Sequence, residues 1–224
     1  MPIRYTPLVN NQLYHIMNRS ISEQLLFPSI KEYGRFADLI GYYIYDNPPS
    51  TYSRFLKLSN AERKRILANL ADKNNRLVGI IAFCLMPTHF HLLLQQKKNN
   101  GISKFIAIIT NSYAKYHNLK IQRQGPLYKG SFKAVRITTD EQLLHVTRYI
   151  HLNPYTSYVV KNIDDLLKYP HSSLQEYLNI TETKIVEKDI VLSNFQNKES
   201  FKKFHLDQAD YQRKLQEIKH LVLE

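Results

Sequence analysis

Two histidines one residue apart stand in a strand-like segment, MPTHFHLLL. Alternate residues of a β-strand project to one face, so His89 and His91 share a face with their Cα atoms roughly 6.5–7 Å apart. Two imidazoles at this separation can bind one metal ion. Such a pair is also common as plain structure, but a polar face in an otherwise apolar segment costs free energy, which a metal or polar ligand offsets. The pair is therefore a candidate metal site.

A second candidate lies in the segment RYIHLNP. On a helix, residues four apart share a face, so Tyr149 and Asn153 point the same way. A tyrosine hydroxyl can attack phosphorus when a metal draws charge from the phosphate oxygens, and an amide oxygen one turn away could be a third metal ligand. Taken alone, the same pattern is also typical of a packed tyrosine and an asparagine that ends a helix before proline.

A third feature is a basic stretch in which aromatic residues are interleaved. Such a mixture suits a groove that follows a phosphate backbone and stacks bases, although a solvated basic loop has the same composition. Together with one arginine near the N-terminus, the candidate DNA-binding residues are Arg19, Lys115, Lys120, Arg123, Lys129, Lys133 and Arg136, with Tyr113, Tyr116, Tyr128 and Phe132 among them.

The elements that must position these residues follow from periodicity. Alternation predicts a strand over residues 12–20 and two strands over 76–96, while helical spacing and capping signals predict helices over 29–45, 101–118 and 140–152, the last ending before Pro154. Thr139 is the expected N-cap of that last helix. Few short strands alternating with helices predict an α+β fold with an antiparallel sheet and helices packed on it.

Bulk composition narrows the class of protein. The chain has 224 residues and a net charge of +12, which favours a polyanionic partner such as nucleic acid. The single cysteine, Cys84, excludes an intramolecular disulfide and lies in an apolar run, as a small buried residue would. Without a signal peptide or an apolar stretch of the roughly 18 residues that a membrane span needs, we expect a soluble, cytoplasmic protein.

Six motifs follow one another in a specific order: YHIMNRS, FCLMPTHFHLLLQ, SYAKYHN, GPLYKGSFKAV, LLHVTRYIHLNPY and YPHSSLQEY. In this order the chain resembles the HUH single-tyrosine transposases over about residues 10–180. It is most similar to the REP-associated tyrosine transposase branch, which is related to the transposases of the smallest bacterial insertion sequences. The resemblance implies a ferredoxin-like α+β fold, and we assign residues 1–180 to this transposase domain. The breaker NPPS followed by the charged segment NAERKRILANLADK predicts a peripheral helical insertion over 46–75, and the polar, lysine-rich tail predicts a C-terminal helical extension over 181–224.

The resemblance also implies an activity. Members cut single-stranded DNA beside hairpins and rejoin it through a 5′-phosphotyrosine intermediate, using Mg²⁺ or Mn²⁺. Carried over, His89 and His91 would be metal ligands, Tyr149 the nucleophile, and Asn153 would stand where relatives place an amide ligand. A bacterial, nucleoid-associated location is implied, and a homodimer is left open.

Two alternatives remain at this point. Some relatives have a second tyrosine in the segment that matches GSFKAV, where this chain has Phe132, which lacks a hydroxyl. Either Tyr149 is the nucleophile, or the protein is a domesticated relative that binds hairpin DNA without cleaving it. An RNA-binding ferredoxin-like domain is the weakest alternative, because the aromatic motif with which such sheets stack bases is absent from the sequence.

Overall fold

The computed structural model describes residues 7–71, 75–181 and 185–214. Its centre is an antiparallel sheet in the order β2-β3-β1-β4. The strands are β1 (Leu13–Arg19), β2 (Val78–Met86), β3 (His89–Gln96) and β4 (Lys133–Ile137). With α1 (Ile30–Tyr43) between β1 and β2, and α4 (Gly101–Lys120) between β3 and β4, the chain follows the β-α-β-β-α-β order of a ferredoxin-like fold. The predicted fold class is confirmed.

The two faces of the sheet differ because successive side chains alternate. Tyr14 and Ile16 of β1, like Phe90 of β3, are buried in the core beneath α1 and α4. Leu93 of β3 lies in a second core, which forms against α5 (Asp140–Thr156) on the opposite face. His89 and His91 alternate with Phe90, so the sheet presents both histidines to the α5 face.

The two helices predicted over 29–45 and 101–118 are present in the structure and differ from the prediction mainly at their ends. They lie below the sheet and run over Ile30–Tyr43 and Gly101–Lys120. Phe36, Leu39 and Ile40 of α1 are buried at helical spacing, as its amphipathic pattern predicts. These side chains pack α1 against the sheet.

Helix α5 begins as predicted and ends later than predicted. The Thr139 side chain accepts a hydrogen bond from the backbone N–H of Gln142 at 3.2 Å, which confirms the N-cap. The predicted end before Pro154 is wrong, since the helix continues to Thr156 with Pro154 inside it. A proline removes only one amide donor, and the last turn persists because Ser157 N donates to Asn153 O at 3.0 Å and Tyr155 is buried.

The segment 46–75 holds two helices in its described part, α2 (Tyr52–Phe55) and α3 (Asn60–Leu70). A capping box between Ser59 and Glu62 explains where α3 begins. Tyr52 and Phe55 are buried and pack against Tyr42 of α1, with ring centroids 5.3 and 4.8 Å away. The N-terminal part of this segment is thus anchored in the main core.

The chain beyond α5 returns to the outer edge of β2. The described residues there include the short helices α6 (Ile163–Leu167), α7 (Leu174–Tyr177), α8 (Asp189–Leu192) and α9 (Lys198–Leu206). Backbone hydrogen bonds from Leu85 N to His171 O at 2.8 Å and from Glu187 N to Ile80 O at 2.7 Å protect this edge. Phe201 of α9 completes the second core. Within the described ranges, no helix is both long and apolar enough to cross a membrane.

Candidate functional site

The histidine pair lies on β3, facing α5. The two rings meet edge to face with centroids 5.0 Å apart. His91 is only 1% exposed, whereas His89, at the start of the strand, is partly exposed and lies 3.1 Å from the hydroxyl of Thr88 through Nδ1. The strand alternation therefore brings together the two imidazoles that the sequence singled out.

A third imidazole, which sequence reasoning missed, belongs to the same site. His15 of β1 stacks on His91 with ring centroids 5.1 Å apart, and its Nε2 lies 2.9 Å from His91 Nδ1. In the β1–β3 register His15 is opposite Leu93 and His91 is opposite Met17, so the two histidines are diagonal neighbours on one face. The alternation of YHIMNRS indicates which face His15 occupies, but only the strand register shows that this face meets His91.

Tyr149 of α5 covers the histidines from above. Its ring meets His91 and His15 edge on, with centroids 5.5 and 5.9 Å away. Tyr149 is 42% exposed, although His91 beside it is buried. A nucleophile needs this combination, because it must be held in position and still be open to a large substrate.

Asn153, one turn further along α5, reaches the other end of the pair. It is buried, and its Oδ1 accepts a hydrogen bond from Ser157 Oγ at 3.3 Å. The Asn153 amide also interacts with the ring of His89, which raises the pKa of that histidine against the larger effect of burial. Asn153 Nδ2 is buried without a hydrogen-bond partner, so this amide has an incomplete set of contacts.

Burial sets the protonation of the imidazoles. It lowers the pKa of His15 to about 4 and, together with the charge of nearby Arg19, that of His89 to about 4. The pKa of His91 falls well below its usual value, first through burial and then through the neighbouring His89, His15 and Arg19. All three rings are therefore neutral at pH 7, the form in which an imidazole nitrogen can bind a metal.

The donor set fits a small divalent ion that also takes ligands from a substrate. In the part of the chain that the structure describes, no group of three or more His, Cys, Asp or Glu side chains is arranged to hold a metal. The available donors are instead two neutral imidazoles and the amide oxygen of Asn153, which accepts a hydrogen bond from Ser157 Oγ. Such a set leaves coordination positions for phosphate oxygens and water, as Mg²⁺ and Mn²⁺ sites on phosphates do.

The structure divides the basic residues between the two sides of the sheet. Arg19 pairs with His89 across the β1–β3 ladder, and with Lys129 and Lys133 it lines a cavity of about 360 Å³ whose other walls are Met17, Asn18 and Ser131. This cavity adjoins the histidine pair. We refer to Arg19, Lys129 and Lys133 as the basic rim.

The other predicted basic residues lie elsewhere. Arg136 alternates away from Lys133 on β4 and donates a hydrogen bond to Gln12 Oε1 at 2.8 Å, while Arg123 Nη2 donates to Pro126 O at 2.8 Å. Lys120 forms an ion pair with the buried carboxylate of Glu32. Lys115, also on α4, is exposed on the side of the sheet away from the histidines.

Two of the aromatic residues expected to stack on bases are packed against other parts of the protein. Tyr113 is fully buried and its hydroxyl donates to Leu26 O at 2.5 Å, so a stacking role for this residue is wrong. Phe132, in the loop before β4, packs against the core beneath α1 and α4. Among the described residues, Tyr149 is the tyrosine whose ring contacts His91 and His15.

Comparisons with known proteins give a family match for the middle of the chain and a match to its fold. The family described as "Transposase IS200 like" matches residues 52–153, a range that includes His89, His91, Tyr149 and Asn153 and excludes His15. A solved structure described as the REP-associated tyrosine transposase bound to a REP hairpin has the same fold, with a TM-score of 0.55 and 13% sequence identity over 84% of this chain and 98% of the other. No curated protein matches the chain.

Proposed function

We propose that the chain is an IS200-like transposase that nicks and rejoins single-stranded DNA beside hairpins, a proposal that the family match over residues 52–153 and the shared fold support. The observation that carries the proposal is the placement of an accessible tyrosine, Tyr149, edge on against His91, with Asn153 one turn away beside His89. Nucleophile and metal donors thus meet at one point on the sheet.

In the proposed reaction Tyr149 Oη attacks the scissile phosphorus. The bond between Oη and phosphorus forms, the bond to the 3′ oxygen breaks, and the proton lost by the tyrosine is balanced by the one gained at the freed 3′-hydroxyl. The product is a 5′-phosphotyrosine, and attack by another 3′-hydroxyl reverses the step and rejoins DNA. A divalent ion such as Mg²⁺ or Mn²⁺, held by His89, His91 and Asn153, would supply polarisation of the phosphoryl group.

The rest of the site binds and orients the strand. The basic rim, Arg19, Lys129 and Lys133, lies where a phosphate backbone entering the site would pass, and its charges would attract that backbone. The edge-on contacts with His15 and His91 restrict the ring of Tyr149, which reduces the entropy lost in aligning the hydroxyl with phosphorus. The related structure's REP hairpin supports a hairpin as the DNA partner of this chain as well.

One observation favours a second candidate function. Phe132 occupies a position where some relatives have a tyrosine, and it is partly buried against the core. If cleavage requires the hydroxyl of that tyrosine, this protein binds hairpin DNA without cleaving it.

A homodimer and a cytoplasmic, nucleoid-associated location remain predictions from the sequence. The division into a transposase domain over 1–180 and an extension over 181–224 is likewise a prediction.

A cleavage assay separates the two functions. The substrate is a labelled DNA hairpin with single-stranded flanks, incubated with Mn²⁺ or with EDTA. The nicking enzyme produces a shortened labelled strand with Mn²⁺ and none with EDTA, while the hairpin is bound in both. Binding without cleavage under every divalent ion tested would establish the second function instead.

A further inference from the structure

His15 has no role in the function proposed above, yet it makes a close polar contact with His91. Its Nε2 lies 2.9 Å from His91 Nδ1, the distance of a hydrogen bond, and the two rings stack with 24° between their planes. Tyr14 and Ile16, its neighbours on β1, are fully buried, so the backbone that carries His15 is fixed. The contact is therefore a defined feature of the site.

The chemistry of imidazole limits how this hydrogen bond can be made. A neutral histidine carries one N–H, so one of the two facing nitrogens donates and the other accepts. If His91 Nδ1 donates, His91 Nε2 keeps its lone pair and can bind a metal. If His91 Nδ1 accepts, its Nε2 carries the hydrogen, and neither nitrogen of His91 is free to bind.

The acceptor at His15 therefore decides whether His91 can be a ligand. Metal-binding histidines generally donate their second N–H to a protein acceptor, which fixes the tautomer and the ring orientation. In the described part of the chain, the hydrogen-bond partner of His91 Nδ1 is an imidazole, that of His15, and not a carboxylate. The contact of His91 Nδ1 with His15 Nε2 has the geometry of that second interaction.

We propose that His15 is a positioning residue that accepts the Nδ1–H of His91, orients its ring and leaves its Nε2 free to bind the divalent ion. The proposal rests on the metal-dependent function proposed above and adds to it a residue outside the range of the family match. It assigns His15 no contact with the ion.

Two substitutions of His15 separate its hydrogen-bonding role from its packing. His15→Phe retains a ring that can stack on His91 but offers no acceptor, and His15→Gln offers an amide oxygen close to the position of Nε2. Mn²⁺ affinity is measured on the full chain without DNA, by the loss of the free Mn²⁺ signal in electron paramagnetic resonance. We expect Mn²⁺ binding to weaken by about 10–100-fold in His15→Phe. In His15→Gln it should stay within about threefold of the wild type.

The outcomes distinguish this inference from the proposed function. If His91→Ala abolishes Mn²⁺ binding and His15→Phe binds as tightly as the wild type, the role of His15 is wrong and the metal site stands. If the wild type binds no Mn²⁺, both proposals fail. Thermal unfolding of each metal-free variant shows whether it has folded.

The tautomer can be read without any substitution. Long-range ¹H–¹⁵N correlation spectra of the wild type distinguish a histidine protonated at Nδ1 from one protonated at Nε2. We expect His91 to be protonated at Nδ1 and His15 to be unprotonated at Nε2. If instead His91 is protonated at Nε2 and His15 at Nε2, in both the metal-free and the Mg²⁺-loaded protein, the proposal is wrong whatever the variants show.

Discussion

Tyr149 of α5 and His91 of β3 lie with their ring centroids 5.5 Å apart and their planes at 89°. One ring is buried and the other is two-fifths exposed, so the contact joins the interior of the sheet to the surface where a substrate arrives. This relationship places a hydroxyl-bearing side chain beside a neutral imidazole that we propose to be a metal ligand, and it is the basis of the predictions that follow.

Loss of either metal donor on β3 should abolish cleavage while sparing DNA binding. His89→Ala and His91→Ala each remove one imidazole, and the stabilisation that a bound ion gives to the transition state is several kcal/mol. We expect the rate of hairpin cleavage with Mn²⁺ to fall at least about a hundredfold. Hairpin affinity in a gel-shift assay with EDTA should change little. Cleavage at the wild-type rate in His89→Ala would remove this residue from the site.

Asn153 should act through its oxygen. Asn153→Ala removes the oxygen, and we expect the cleavage rate to fall about 10–100-fold. Asn153→Asp keeps an oxygen at the same place and should retain more activity than the alanine variant. Ser157→Ala is the matched control, because it removes the other hydrogen bond of this amide without removing the amide. Equal losses in Asn153→Ala and Ser157→Ala would indicate that Asn153 only stabilises the helix end.

The basic rim should contribute to DNA affinity mainly through phosphate contacts. Lys129→Ala and Lys133→Ala should each weaken hairpin binding and reduce the slope of log affinity against log salt by about 0.7–0.9. Lys64→Ala, on the exposed side of α3, is the control of equal charge. Fluorescence anisotropy at several salt concentrations gives both quantities. A slope that does not change in the rim variants would show that the DNA takes another path.

Stability should decrease on acidification because of the buried contact between α5 and α9. His205 Nε2 lies 3.1 Å from His151 Nδ1, and burial lowers the pKa of His205 to about 3. Between pH 6.5 and 3 the unfolded chain therefore binds more protons at this residue than the folded chain. The free energy of unfolding falls as pH falls, by up to about 1.4 kcal/mol per pH unit for this group.

Urea unfolding at pH 7, 6 and 5 measures this effect. His205→Gln should be less stable than the wild type at pH 7, because it loses ring packing against Phe201. Its unfolding free energy should fall less between pH 7 and 5. An identical pH dependence in the two proteins would show that His205 does not contribute to it.

Local patterns predicted the parts of the site that lie within one element. The alternation around His89 and His91 and the four-residue spacing of Tyr149 and Asn153 each depend on a single strand or helix, and both faces were predicted correctly. Where α5 begins was also predictable, since its cap is a local contact. The ferredoxin-like arrangement came from the resemblance rather than from periodicity.

Non-local contacts explain what sequence reasoning did not predict. His15 joins the site through the register between β1 and β3, which no local pattern encodes. Lys120 pairs with Glu32 from another helix, and Tyr113 reaches the carbonyl of Leu26, so composition alone overestimated the basic, aromatic surface. The late end of α5 depends on buried neighbours such as Tyr155 that outweigh the proline signal.

The most direct test of the account is the mapping of the covalent intermediate. The full chain is incubated with Mn²⁺ and a hairpin substrate, digested, and examined by mass spectrometry for a nucleotide attached to tyrosine. We expect the adduct on Tyr149, its loss in Tyr149→Phe with hairpin binding retained, and its persistence in Tyr211→Phe, a control at another exposed tyrosine. An adduct that forms at wild-type levels in Tyr149→Phe would contradict the assignment of the nucleophile.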